Sequence, residues 1–544
     1  MRRSALCILL FLCVATAPFA VSPPRKALVA IDAAPGALVR LLDADICVVR
    51  DLGRHLIAFA TTDDLDQIRH LGFTPRILDA NTVGKTFHLV HAASPASRDR
   101  LRDRFQAMPI DAFTVIVEIP SDRVGELFGE HVEIARVFDT PMRPARATNA
   151  RRRALFTLPV PRDSIVQALV DSISITRIDA RVERLQDFGT RHALSDSGGV
   201  AAQYVKEEFE QAGIDSVRFH EWDTRLNPNV VAVLPGVATP QNIIVLGGHY
   251  DSASRSPSDP ASGADDNASG TSGVLECARW MARVPFENTI VFVAFGAEEI
   301  GLLGSEAYAA EAVARGDSIV AMINMDMIGY VRPGDAVDID IVFNTSSQWL
   351  RDLVSDAGST YVPGFGIVDG TLPVAFSSDH SSFWRHGYDA VYFFEDSDSF
   401  SPFIHSDQDV IGLSYQSPGL AEHTVKLAVA TVATLAVPHR ATPPVEPPVP
   451  PGDITIAQNY PNPFNPNTTI RVSVPGRSTR ATLNVYDAAG RLVATLLANQ
   501  VITGERNVAW DGRDRQGRLV SSGVYFYQLT SPDATISRKM VVVR

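Results

Sequence analysis

The sequence predicts an α/β fold: a mixed, mostly parallel sheet flanked by helices, with a small α+β region before it and a β-sandwich after it. Three observations carry that expectation. Across residues 155–440, short apolar runs alternate with segments of helical period. Residues 443–451 hold six prolines in nine positions, a semi-rigid extended linker. Residues 453–544 then carry short alternating runs punctuated by Gly and Asn/Asp turns, which suits a sandwich. A length of 544 residues fits about three domains.

The chain opens with Met1-Arg2-Arg3, an apolar run from Leu6 to Val14, and small residues through Ala20. A positive start, a short apolar core and a small-residue exit describe a secretory signal peptide, residues 1–20. No later apolar stretch reaches about 18 residues, so no transmembrane span is expected, and the protein should be secreted or sit at the cell surface. Cys7 and Cys13 fall in the signal, while Cys47 and Cys277 fall in different regions, which argues against a disulfide framework. A formal net charge of -13 argues against nucleic acid as a partner.

Residues 25–142 show strands at Ile46–Val49 and Leu56–Phe59, with Leu65, Ile68 and Leu71 at helical spacing. A similar order recurs at Phe113–Ile119, followed by Val124, Leu127 and Phe128, so a pair of small α+β units is expected. Residues 143–154 carry Arg143, Arg146 and Arg151-Arg152-Arg153. They read either as a solvated linker or as a processing site between a prodomain and an enzyme, and both readings stay open.

In the middle region, the expected strands are Val230–Leu234, Ile243–Leu246, Ile290–Phe295, Ile319–Ile323, Ile339–Phe343 and Ala390–Phe394; helical patterns include Val200–Ala212 and Thr271–Met281. Charged or imidazole groups follow several of these strands: His249 and Asp251, Glu298 and Glu299, Asp326, Glu395 and Asp396, with His405 soon after. Sites in open α/β sheets lie at the carboxyl ends of strands, so these groups should share one crevice. Asp265-Asp266-Asn267 sits in a Gly-flanked turn that opens a helix, and is either an N-cap or part of a ligand set. Two histidines with several carboxylates are the N/O donors that bind zinc. Two metals together would polarise a carbonyl and supply a nucleophilic hydroxide. A second Glu beside a ligating Glu suits a general base.

The motifs GGHYDS (247–252), GADDNASG (263–270), AEEIGLLGS (297–305), NMDMIGY (324–330), SSDHSSFWRHGY (377–388) and IHSDQD (404–409) span nearly all of 180–435. In that order they resemble the zinc exopeptidases of metallopeptidase family 28, most closely the secreted bacterial leucyl aminopeptidase type. The resemblance implies the zinc exopeptidase fold for residues 155–440 and two Zn2+ ions. Asp266 would bridge them, Glu299 and His405 would complete one ion, and His249 and Asp326 the other. It also implies Glu298 as the general base acting on a metal-bridging hydroxide, Asp251 as the carboxylate that orients His249, and a cis bond between Asp266 and Asn267. Asp265 is not the matching acid; His192, His220, His380 and His386 are read as packing, surface or pocket-wall residues.

The chain departs from the family's closest pattern at Ala375, Phe376 and Ser377, where two cysteines and a tyrosine are absent; that leaves one pocket wall open. The other wall residues are Met327, Phe400, Phe403 and Ile404. No Arg is placed to hold a substrate carboxylate. The expected substrates are therefore peptide or protein N-termini with a bulky apolar first residue. The alternatives are a glutaminyl cyclase of the same fold, which would carry one zinc, and a non-catalytic binding relative.

In the tail, the run Gln458 to Pro466, Trp510-Asp511-Gly512 and the strand Gly523–Leu529 resemble the C-terminal Ig-like sorting domain of secreted bacterial proteins. That resemblance implies a partner for residues 453–544 in the type nine secretion machinery, with residues 441–452 as linker. Residues 25–142 would then be a propeptide-like domain.

Overall fold

The computed structural model describes residues 26–543 other than 35, 93, 129–131, 145–158, 254, 372–376, 441–453 and 533. The signal segment, Arg146, Arg151–Arg153, Ala375, Phe376 and the proline run thus lie outside the described residues. Residues 1–439 and 440–544 make two compact units.

The first unit begins with two small sheets of the same design. Strands Ala27–Asp32, Cys47–Asp51, His55–Ala60 and Pro75–Asp79 pair in the order second, third, first, fourth. Strands Phe87–Ala92, Ala107–Pro109, Thr114–Glu118 and Val132–Val137 repeat that order. Helices Ala37–Asp43 and Thr62–His70 belong to the first copy; helix Pro95–Arg104 and the 3-10 turn Ser121–Leu127 belong to the second. Thr61 starts its helix with a capping box, its hydroxyl accepting the Asp64 N–H while the Asp64 carboxylate accepts the Thr61 N–H.

The eight-stranded sheet runs Gly366–Asp369, Asp338–Phe343, Ala390–Phe394, Ser318–Met325, Thr239–His249, Asn288–Phe295, Asn229–Leu234, Ser216–His220. The four adjacent strands from Ala390–Phe394 to Asn288–Phe295 are parallel. The flanking pairs bring in antiparallel neighbours, so the sheet is mixed. Asn288–Phe295 is buried throughout. Its Ile290, Phe292 and Ala294 enter one core, and its Val291, Val293 and Phe295 enter the other. That period of two with no polar face is the signature of a strand covered on both sides. Each such Ile, Val or Phe contributes about 1.5–3 kcal/mol of burial. Helices Ala268–Met281 and Pro418–Ala436 cover one face; Leu303–Arg315 and His380–Arg385 lie on the other side. Among the described residues, no helix is long and apolar enough to cross a membrane.

The second unit differs from the expected set of short strands. Two long ones, Thr468–Asp487 and Leu492–Trp510, pair with each other, and Gly523–Thr530 and Thr535–Val542 extend the sheet. Register shifts near Val474/Ser478 and Ala481/Leu483 bend the long pair. One continuous strand can then serve as two sides of a core built on Trp510, Tyr527 and Leu483. The first of these bends falls at Pro475-Gly476, turn residues that the sequence does carry.

Candidate metal centre

Three of the parallel strands deliver the site at their carboxyl ends. His249 is the last residue of its strand, Asp326 directly follows Ser318–Met325, and Glu298 and Glu299 follow Asn288–Phe295 after two residues. Asp266 comes from the turn before helix Ala268–Met281. Asn267 caps that helix by accepting the Gly270 N–H at 2.8 Å, so the cap role falls to Asn267 and leaves Asp266 free. His405 lies on the loop after Ala390–Phe394. Asp266-Asn267 is a cis peptide bond, and Ala297, Met327 and His405 adopt left-handed backbone angles of 54–58°. Such angles in non-glycine residues concentrate at functional sites.

The side chains form two buried trios that share Asp266: His249, Asp266 and Asp326, and Asp266, Glu299 and His405. His249 Nε2 lies 3.2 Å from Asp266 Oδ1 and 3.1 Å from Asp326 Oδ1. His405 Nε2 lies 3.1 Å from both Asp266 Oδ2 and Glu299 Oε2. Each oxygen of Asp266 therefore serves one trio. His249 Nδ1 donates to the Asp251 carbonyl at 3.2 Å, which leaves Nε2 as the lone-pair nitrogen. Glu298 Oε2 lies 4.0 Å from that nitrogen.

Electrostatically the cluster needs cations. Burial pushes the Glu298 carboxyl well above the usual range; His249 opposes this, and Asp326, Asp379 and Glu299 add to it. Burial and the neighbouring Asp266 push Glu299 up to about 7, against the pull of His405. Burial also acts on Asp266, yet hydrogen bonds from His249 and His405 hold it well below the carboxylate range. Glu299 Oε1 is buried without a hydrogen-bond partner among the described residues. Two imidazole nitrogens and carboxylate oxygens at this spacing fit zinc.

The surroundings pin these donors. Asp251 accepts the N–H groups of Glu298 and Glu299 at 3.2 and 3.3 Å, while its carboxylate stands 3.6 Å from His249 Nδ1, beyond hydrogen-bonding distance. It thus holds the Glu298–Glu299 turn, and its carbonyl rather than its carboxylate orients His249. Asp409 accepts from the N–H groups of Asp265 and Asp266. Asp265 points away, accepting from Gly329 and pairing with Glu395. Two residues escaped the sequence reading as orienting groups: Ser378 donates to Asp326 Oδ2, and Asn324 donates to Ser378. Their only sequence signal was membership of quoted motifs.

His380 is buried and stacks on Tyr392, His386 pairs with Glu306, His220 with Asn229, and His192 accepts the Leu194 N–H; none joins a trio. Met327 and Ile404 are 2% and 1% exposed and pack in the core with Phe400, while Phe403 faces Tyr330. Met327 and Ile404 are thus almost wholly covered.

The model of peptidase family M28 matches residues 229–432. A probable leucine aminopeptidase 1 of Trichophyton verrucosum is 32% identical over 295 residues, covering 50% of this chain and 76% of the relative. The chain belongs to peptidase family M28. This M28 peptidase is an enzyme, a zinc-dependent peptide hydrolase. A probable leucine aminopeptidase of Arthroderma benhamiae is 29% identical to it over 316 residues, covering 55% of this chain and 84% of the relative. The crystal structure of Legionella pneumophila LapA aminopeptidase shares its fold, with a TM-score of 0.52 and 21% identity, over 64% of this chain and 98% of that one. The tail of the M28 peptidase matches the FlgD Ig-like domain over residues 464–534.

Proposed function

We propose that this chain is a secreted aminopeptidase that uses two zinc ions to remove N-terminal residues, bulky and apolar ones by preference, from peptides. One observation supports this above the rest: Asp266 offers one oxygen to each of two histidine-containing trios. His249 and Asp326 would hold one ion, Glu299 and His405 the other, and Asp266 both. The bound zinc pair would polarise the scissile carbonyl and acidify the attacking water. Glu298 takes the proton of that water and passes it to the leaving amine; burial keeps its carboxyl basic enough for the first transfer. Asp251 positions Glu298 through the backbone. Phe400 and Phe403, less buried than Met327 and Ile404, remain the candidates to meet the substrate side chain. Residues 1–20 act as an export signal and residues 453–544 as a sorting domain for the type nine machinery, with residues 25–142 as a propeptide-like domain.

The test uses the full chain with zinc. Zinc is counted, and unblocked Leu-, blocked Leu- and Gln-peptides are assayed beside Glu298→Gln. Two ions, cleavage of unblocked Leu-peptide alone, and at least about a hundredfold loss in the variant with zinc retained support the reading. One ion with ring closure of the Gln-peptide replaces it with a cyclase, and zinc without any turnover, both in the intact chain and after cleavage within residues 143–154, replaces it with a non-catalytic relative.

A further inference from the structure

The turn that carries Asp266 is gripped on one side by an anion and on the other by a cation. Its N–H groups face Asp409: those of Asp265 and Asp266 donate to the two carboxylate oxygens at 2.9 and 3.0 Å, and that of Ala264 donates to the Asp409 carbonyl. Its carbonyls face Arg191, whose Nη2 donates to Gly263 O at 2.8 Å and whose Nη1 donates to Ser262 O. The same guanidinium reaches two further segments. Nε donates to Tyr250 O at 2.7 Å, and Nη1 to Leu185 O at 3.0 Å. Tyr250 directly follows His249, so one side chain ties the strand end bearing His249 to the turn bearing Asp266.

Neighbouring groups repeat the tie. The Ser252 hydroxyl accepts the Arg191 N–H at 2.9 Å and donates to Ala261 O at 2.7 Å. The loop before Arg191 runs beside the turn, where the Ala261 N–H donates to Gly189 O at 2.8 Å. Gly263 has a φ of 54°, and a Cβ there would fall 2.7 Å from Arg191 Nη2 and 2.5 Å from Asp266 O, so the approach requires glycine.

Arg191 is fully buried, and among the described residues every acceptor of its guanidinium is a main-chain carbonyl. Burying a cation without a carboxylate in contact is costly. Burial pulls its pKa down to about 10, and the charges of Asp409, Asp251, Asp266 and Glu299 act against that pull. An apolar side chain would avoid the cost but could not hold the carbonyls. An ammonium group would keep the charge, but its donors radiate from one point and cannot span three segments as a planar fork does.

We propose that Arg191 is a positioning residue of the metal centre: its fork sets the distance between His249 and Asp266, so that the two can share an ion. This rests on the zinc aminopeptidase reading. Arg191 touches neither ion nor substrate in this role and acts only through the two segments it joins.

The test uses the full chain with Arg191→Lys, Arg191→Met and Ser252→Ala. Zinc affinity is read by competition against a chelator of known affinity. Turnover and KM are read with leucine p-nitroanilide, on the intact chain and after cleavage within residues 143–154. Both Arg191 variants should lose about tenfold or more in zinc affinity, the usual cost of losing such a partner. Their kcat should fall while KM moves by less than about twofold, as when reacting geometry rather than substrate binding is lost. Ser252→Ala keeps the guanidinium and breaks the hydroxyl tie, so it should shift zinc affinity the same way by a smaller factor. It decides the matter if neither Arg191 variant folds, and unchanged affinity in it then overturns the proposal. Arg191→Lys with the affinity of the natural chain also overturns it, because charge without the fork would suffice. So does a lower Tm with unchanged zinc affinity, which would leave Arg191 a purely structural residue. A natural chain that binds zinc without turnover in either form fails the aminopeptidase reading by itself, and the zinc affinities of the variants still decide the role of Arg191.

Discussion

Ser378 donates its hydroxyl to Oδ2 of Asp326 at 2.6 Å, while Oδ1 of the same carboxylate lies 3.1 Å from His249 Nε2. The Asn324 amide, 2.7 Å from Ser378 Oγ, fixes the hydroxyl in turn. Asp326 is thus held at one oxygen so that the other faces the trio. We expect Ser378→Ala to weaken zinc binding by about 10- to 100-fold, the usual cost of losing such a partner. Competition against a chelator of known affinity measures it; unchanged affinity would refute the orienting role.

Removal of metal should destabilise the first unit. The trios bury Asp266, Glu299 and Asp326 beside Glu298, opposed by the two histidines and by the charge of the buried Arg191. Bound zinc at a thousandfold excess over Kd stabilises by about 4 kcal/mol. Stripping with EDTA should therefore lower the calorimetric Tm by several degrees, and zinc should restore it where magnesium does not.

Glu276 is fully buried and accepts hydrogen bonds from Arg177, Arg181, Trp280 and the Ser174 N–H. It ties helix Ile175–Gln186 to helix Ala268–Met281, whose first turn follows Asp266. Glu276→Ala leaves the buried Arg181 with Glu208 as its remaining carboxylate and removes the hydrogen bonds to Arg177, Trp280 and Ser174, at a cost of about 1–3 kcal/mol. Urea unfolding should show this as a lower midpoint with little change in slope.

His88 is buried on strand Phe87–Ala92 of the second small sheet, where burial and the Arg136 charge hold its imidazole down to about 3. The sign follows from linkage. With its folded value below its unfolded 6.5, His88 contributes its stability fully above that value and loses it as pH falls toward the folded value. Between about pH 7 and pH 4.5 this is worth about 2 to 3 kcal/mol. His88→Leu should lose that share of the acid sensitivity. Equal pH profiles for the two proteins, read by thermal melts, would show that His88 is not the group responsible.

The donors His249, Asp266, Glu299, Asp326 and His405 were legible because each sits beside a strand end or a Gly-flanked turn, in motifs whose order implies their roles. The sheet was legible because strands buried on both faces, such as Asn288–Phe295, read as unbroken apolar runs. What the residues alone determined was therefore local: which segments are strands, and which polar groups stand at their ends. Tertiary structure decided the rest. It divided the two oxygens of Asp266 between the trios, gave Asp251 to the Glu298–Glu299 turn, buried Met327 and Ile404, and set Phe128 against His405. No local pattern marks such contacts, because their partners lie far apart along the chain and meet only when burial of the apolar faces has closed the packing between them.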